Sequence, residues 1–219
     1  MLRDIDLSEI SDGKKYTSSD MVKIGCNDCA GCSKCCENMQ GLITLDPYDI
    51  YRMCKGIKNS SFETLLEKHI EFTVDRGILI PTLAMDKNTG KCTFLNEEGR
   101  CSIHDYRSGV CRLFPMGRVY EDGSFYYFLQ KDECDYKVKT KVKLKNWLDI
   151  SDLAKYEQYI SDWHYFIATV REYITDEDVN QINQALIQMF FVKPYTDNFY
   201  DDFYVRLEKV KALFLDVNP

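Results

Sequence analysis

The sequence contains no apolar run that approaches the roughly 18 residues needed to cross a membrane as a helix, so no membrane span is predicted. Residues 1–16 carry acidic side chains throughout and lack the apolar centre of a secretory signal peptide. We therefore expect a cytoplasmic location. An excess of basic charge is also missing: the net charge of the 219 residues is −7, which argues against a broad nucleic-acid-binding surface.

Histidine is scarce, with three residues in the chain, and no serine, histidine and acid can be assembled into a recognisable set. No G-x-G-x-x-G motif follows a predicted strand. These absences argue against triad catalysis and against a Rossmann-type cofactor site.

Cysteine, in contrast, is abundant, with ten residues. A reducing cytosol disfavours disulfides, so clustered thiols there more often bind metal or perform redox chemistry, and disulfides are the minor alternative. No cysteine follows Cys134, and Cys54 lies in a helical pattern, where we expect it to be a small buried apolar residue. This distribution predicts a cysteine-cluster metal-binding domain at residues 1–145 and a helical domain, packed on it, at residues 146–219.

The densest group of thiols is CNDCAGCSKCC, which runs from Cys26 to Cys36. Thiolates suit zinc, copper(I) and the irons of iron–sulfur clusters. In Cys29-x2-Cys32-x2-Cys35 the equal spacing lets a short turn aim the sulfurs at one metal centre, as in the CxxCxxC run of ferredoxins. Adjacent side chains of extended backbone point to opposite sides, so Cys35 and Cys36 are not expected to bind the same ion.

Four further cysteines follow at wider intervals, beside glycine-containing turns that suit loops converging on a site. The candidate metal ligands are then eight: Cys29, Cys32, Cys35, Cys36, Cys92, Cys101, Cys111 and Cys134. Eight thiolates are enough for two four-ligand sites, or for one site with reactive spares. Cys26 ranks below these eight as a spare ligand, a redox thiol or an incidental residue.

The segments CAGCSKCC and KCTFLNEEGRCSIHDYRSGVCRLFP, with the later Cys134, resemble the CxxCxxCC, or YkgJ-type, cysteine-cluster family. The resemblance covers about residues 26–136 and implies a zinc- or iron-chelating protein. The family is distantly similar to flagellin lysine N-methylases, which carry an iron–sulfur centre. By resemblance, the eight cysteines named above occupy the family's cysteine positions, and Arg107, Arg112 and Pro115 fall on its RPxxCRxxP-like segment.

Arg107 and Arg112 flank Cys111 and are candidate cofactor-binding residues. Their guanidinium groups could donate to cluster sulfides or to an anionic substrate, and we expect these cations to lower the pKa of a thiol at Cys111. The alternative is a structural ion pair with an acid such as Asp105. His104 is either a nitrogen ligand or a hydrogen-bonding loop residue.

The predicted fold class is α+β, with a loop-rich cysteine region that contains short helices and a β-hairpin, followed by a helical bundle. Strands are predicted at 42–45 and 78–85, and helices from Asp46-Pro47 to Gly56 and from Ser60 or Ser61 to Gly77. Asp122-Gly123 predicts a hairpin turn. In the tail, apolar residues recurring every three or four positions predict three helices, opening near 153, 178 and 199.

Lysines alternate from Lys137 to Lys145, which predicts a strand with one basic face. This face could hold phosphate or an acidic partner, although a lysine-guarded sheet edge is the simpler interpretation.

Three functions remain open. The first is an iron–sulfur protein, with a [4Fe–4S] cluster used in redox chemistry or in a group-transfer enzyme or its accessory. The second is a zinc protein whose metal stabilises a loop-rich domain. The third is a module that presents the helical tail to a protein or RNA partner. The number of thiols favours the cluster, and we expect the tail itself to bind no metal.

Overall fold

The computed structural model describes residues 6–27, 32–134 and 136–214, and it confirms the α+β class. Antiparallel strands pair two by two, as β1 with β6, β2 with β3 and β4 with β5. The elements in chain order are α1 (Leu7–Ile10), β1 (Met21–Gly25), α2 (Pro47–Gly56), α3 (Phe62–Leu66), β2 (Ile70–Asp75), β3 (Ile78–Leu83), α4 (Gly109–Leu113), β4 (Met116–Glu121), β5 (Ser124–Leu129), β6 (Thr140–Lys143), α5 (Leu144–Leu148), α6 (Leu153–Tyr173), α7 (Val179–Ile187) and α8 (Phe199–Phe214).

Helix α2 begins and ends where the sequence predicts. The Asp46 side chain caps it by accepting from the Asp49 backbone N–H at 2.9 Å, and the Asp49 side chain accepts from the Asp46 N–H at 3.1 Å. This reciprocal capping box, with Pro47 in the first turn, satisfies backbone donors that have no partner within the helix.

The helix predicted from Ser61 to Gly77 is wrong beyond Leu66. A capping box between Ser61 and Thr64 starts α3, but the following residues form β2, which pairs with β3 around a turn at Arg76-Gly77. The β-branched and aromatic residues of β2 favour a strand once a partner strand is present.

The strand predicted at residues 42–45 is also wrong. It is reduced to an isolated bridge between Thr44 and Thr82.

The hairpin β4–β5 is confirmed, and Asp122 and Gly123 both adopt positive φ in its turn. The lysine strand is shorter than predicted. It pairs with β1 over Thr140–Lys143, and helix α5 then starts at Leu144 because Leu144 and Leu148 are buried in a small core with Val22 and Ile24.

The tail forms the three predicted helices α6, α7 and α8. Their buried side chains share one hydrophobic core with the cysteine region: Phe62 of α3 lies 5.7 Å from Phe191, ring centroid to centroid, and Cys92 belongs to the same core as Phe203. The division near residue 145 stays a prediction, and the main core extends across it. No helix within the described ranges is long and apolar enough to cross a membrane.

Candidate metal centre

The first thiols of the site lie in a 3-10 turn, Lys34–Cys36. This turn is attached to the next cysteine segment by backbone hydrogen bonds, because the Cys92 N–H donates to the Cys36 carbonyl at 2.8 Å. The Asn38 N–H likewise donates to the Gly90 carbonyl at 2.7 Å. Segments more than fifty residues apart in the chain are thereby held side by side.

The turn before Cys92 depends on Asp86 and Gly90. The Asp86 carboxylate accepts hydrogen bonds from the Asn88 and Thr89 backbone N–H groups, at 3.1 and 2.8 Å. Gly90 has a φ of +68°, and a Cβ there would lie 2.5 Å from Asn38 Oδ1. Glycine therefore permits both the turn and the close approach of the Asn38 segment.

Cys101 is placed by a second short turn. The Asn96 N–H donates to the Arg100 carbonyl at 2.9 Å, and an isolated bridge joins Leu95 to Cys101. Since the Leu95 N–H also donates to the Cys92 carbonyl at 2.9 Å, this turn brings Cys101 back beside Cys92.

Cys111 lies in the short helix α4, which is fixed at its start by two side chains. Ser108, which is fully buried, accepts from the Cys111 N–H at 3.3 Å. Asp49 of helix α2 accepts from the Gly109 N–H at 2.6 Å. The sequence did not predict that Ser108 and Asp49 would position the helix of Cys111. The capping-box pattern of Asp46 and Asp49 was visible in the sequence, but it indicates only the start of α2.

These turns bring together a set of four thiols, Cys35, Cys92, Cys101 and Cys111. Each of the four interacts electrostatically with the other three. We call them the four-thiol set. Cys36 lies beside it, hydrogen-bonded to Cys35 and within electrostatic range of Cys92 and Cys111.

The thiols of the set differ in acidity. The hydrogen bond with Cys36 lowers the pKa of Cys35 to about 7, with a smaller contribution from Arg107, and it raises the pKa of Cys36. Burial raises the pKa of Cys92 and Cys101, and that of Cys111 to about 12. The expectation that arginines lower the pKa of Cys111 is therefore wrong: burial disfavours its thiolate, and the neighbouring thiols of the set raise the pKa further.

The two arginines have different surroundings. Arg107 is close enough to favour the thiolates of Cys35 and Cys101, while its Nη1 donates to the His104 carbonyl at 2.9 Å. Arg112 is 2% exposed, and its guanidinium donates only to backbone carbonyls in the contacts that the structure describes. The acceptors are the carbonyls of Leu148, Asp149, Asp105 and Arg107. Arg112 thus has the structural role considered as its alternative, with carbonyls in place of a carboxylate.

The other candidate ligands have no described interaction with the set. Cys32 and Cys134 are half-buried, and none of the interactions described for the four-thiol set involves either. Cys29 falls outside the described residues, so the predicted centre of Cys29, Cys32 and Cys35 stays a prediction. Cys26 is buried, and Cys54, on α2, contacts Ser60.

His69 is half-buried at the edge of the core. Its ring stacks on Phe94 with centroids 4.0 Å apart, and its Nδ1 lies 2.9 Å from Thr93 Oγ1.

The donor chemistry of the four-thiol set fits a soft metal ion or an iron–sulfur cluster. Among the described residues, no three cysteine, histidine or acidic side chains already enclose a point where an ion could sit. Metal binding would therefore draw the thiolates inward, as is usual where binding is coupled to local ordering.

The comparisons with known proteins agree with this chemistry. Residues 28–142, more than half of the chain, match the family model CxxCxxCC, described as "Putative zinc- or iron-chelating domain". A search of the curated proteins and a search of the solved structures returned no match. The matched range contains all four members of the four-thiol set and the turns that position them. The chain belongs to the CxxCxxCC family of zinc- or iron-chelating domains.

Proposed function

We propose that this protein holds a [4Fe–4S] cluster through Cys35, Cys92, Cys101 and Cys111. The observation that carries the proposal is the complete set of mutual interactions among these four thiols, which come from three separate loops and one helix. Four thiolates are the usual ligand set of such a cluster.

Two neighbours of the set would tune the bound cluster. Arg107 supplies a positive charge beside Cys35 and Cys101, which stabilises their thiolates and can donate to cluster sulfides. Cys36 donates to the Cys35 sulfur and would remain as a reactive thiol or as a ligand of a second centre, together with Cys29, Cys32 and Cys134. When bound, the cluster would supply one-electron transfer.

We further propose that the cluster serves a redox or group-transfer enzyme, or its accessory, rather than a free-standing electron carrier. Support comes from the tail, because its three helices α6, α7 and α8 bury apolar side chains in the core that they share with the cysteine region. Three exposed apolar side chains on α6 and α8, Tyr173, Val205 and Leu213, suit contact with a protein partner or substrate. A reducing, cytoplasmic compartment is the setting in which such thiols stay available for metal.

Zinc is the alternative metal, because the segment from residue 84 to residue 108 contains little regular secondary structure and would be stabilised by a tetrahedral thiolate site. Zinc in the four-thiol set would make this a structural and interaction module that presents the helical tail to a partner.

The test is metal analysis of the full chain purified without oxygen. We expect about four irons and four sulfides per chain and absorption near 400 nm, as in other four-thiolate clusters. Replacing any member of the four-thiol set by serine should remove most of the iron. Cys54→Ser is the matched control, because Cys54 is also half-buried but lies on α2 beside Ser60.

The outcomes separate the two metals. A colourless protein with one zinc per chain, lost from the same four variants, would replace the cluster by the zinc module. Full metal content in all four serine variants would refute the ligand set.

A further inference from the structure

An open groove of about 810 Å³ lies between α2, the 3-10 turn His104–Tyr106 and α5. Its volume is within the range of small-molecule sites. Three tyrosines and three cations are prominent in its lining: Tyr48, Tyr51, Tyr106, Arg52, Lys55 and Lys145. Asp149 is the one acid of the lining in the described part of the chain. Such a basic groove is unexpected in a protein of net charge −7.

The Tyr106 ring packs against helix α2 at Gly56 and remains partly exposed to solvent. A Cβ placed on Gly56 would lie 2.1 Å from the Tyr106 ring, so the ring packs directly on the helix backbone at this glycine. The side chain is nevertheless 38% exposed. A planar group in the groove could stack on the open face of this ring.

The three cations retain capacity for an anion. Arg52 donates from Nη2 to the Asp105 carbonyl, which leaves its other N–H groups for a ligand. Lys55 pairs with Asp197, but both side chains are more than half exposed, and such surface pairs are weak enough to be exchanged. Lys145, on α5, is the third cation of the lining.

Hydrogen bonds connect the groove to the segment that carries Cys111. Arg112, the residue after Cys111, donates to the Asp149 carbonyl at 3.2 Å and to the Asp105 carbonyl at 3.4 Å. Asp149 lines the groove, and Asp105 precedes the groove residue Tyr106. A ligand bound here would therefore lie against the segment that joins Cys101 to Cys111.

From these observations we infer that the groove binds a nucleoside phosphate. Three cations match a multiply charged anion, and the tyrosines offer surfaces on which a base can stack. The cations account for the phosphate groups of such a ligand and the tyrosines for its base, and both lie in the same groove. The inference does not depend on which metal the thiols hold.

The test is calorimetric titration of the full chain, purified without oxygen, with ADP, adenosine, inorganic diphosphate and an acidic tyrosine-containing peptide. We expect ADP to bind saturably and at least about tenfold more tightly than adenosine or diphosphate. Tyr106→Ala and Lys145→Ala should each weaken ADP binding about tenfold, while Tyr106→Phe keeps the ring and should bind like the parent protein.

The matched controls are Phe72→Ala and Lys141→Ala, since Phe72 has the same exposure as Tyr106, Lys141 is exposed, and both lie outside the groove lining. They should leave the affinity for ADP unchanged. Absence of saturable ADP binding, diphosphate binding as tight as that of ADP, or preference for the acidic peptide would each overturn the inference. Equal weakening by the control variants would do so as well.

Discussion

Asp49 connects the helical core to the helix that carries Cys111, so its replacement should affect both stability and metal retention. The side chain is 3% exposed, and its Oδ1 accepts from the Gly109 N–H at 2.6 Å. Its Oδ2 accepts from the Asp46 N–H at 3.1 Å. In Asp49→Ala both donors lose their acceptor, and the Gly109 N–H is left unpaired in a buried place.

The cost can be estimated from these contacts. An unsatisfied buried donor costs about 1–3 kcal/mol, and loss of the capping-box hydrogen bond from the Asp46 N–H costs about 1 kcal/mol. Removing the Asp49 carboxyl group also has a stabilising effect, because a charged carboxylate is unfavourable there. Burial and the neighbouring Asp46 raise the pKa of Asp49 well above its usual value. We expect a net loss of about 2 kcal/mol in the free energy of unfolding, which lowers Tm by about 4–8 °C.

Asp49→Asn separates hydrogen bonding from charge. Its amide oxygen can still accept from Gly109, although its NH2 group opposes the Asp46 N–H, so we expect less than half the loss seen with Asp49→Ala. The measurements are urea unfolding and the rate of metal loss to a chelator, with the exposed Glu177→Ala as control. An alanine variant with parental stability and parental metal retention would refute this role of Asp49.

Three other predictions concern the core, the tail and acid stability. Phe203→Ala, at a fully buried ring 4.6 Å from that of Tyr159, should lose about 3–5 kcal/mol of unfolding free energy in denaturant titration; a loss below 1 kcal/mol would contradict the packing. Removing residues 146–219 should expose Phe62 and its neighbours and yield an aggregating chain, whereas a soluble, metal-loaded fragment would support an autonomous cysteine domain. Burial lowers the pKa of His164 to about 4 from 6.5, so its protonation favours the unfolded state and stability is lost as the pH falls from 6.5 towards 4. His164→Phe, which can keep the stack on Tyr120, should reduce that loss; an unchanged pH profile of Tm would exclude the effect.

Elements with a strong local signal were predictable. The capping residues Asp46 and Pro47 start α2, Asp122-Gly123 forms the turn of β4–β5, and the apolar period of the tail corresponds to α6, α7 and α8. The error at β2 has a physical cause. The spacing after Ser61 suits a helix, but the residues from Ile70 onward gain more by pairing with β3, a partner that local periodicity does not reveal.

The arginines show the same limit at the site. Arg107 and Arg112 both flank Cys111 in the sequence, yet Arg107 lies near Cys35 and Cys101, whereas Arg112 donates to backbone carbonyls. A helical turn between them directs the two side chains to different neighbours. Sequence position alone could not distinguish the charge that favours a thiolate from the one that ties loops together.

The sequence by itself determined the class of chemistry, since clustered cysteines supply many soft donors, and their spacing identifies the family. Only the tertiary structure decided which thiols meet. Cys35, Cys92, Cys101 and Cys111 become neighbours through the Cys36–Cys92 backbone hydrogen bond, the turns at Gly90 and at Asn96–Arg100, and the Asp49 contact to α4. These are long-range contacts whose free energy depends on the shared core, and no local pattern of residues encodes them.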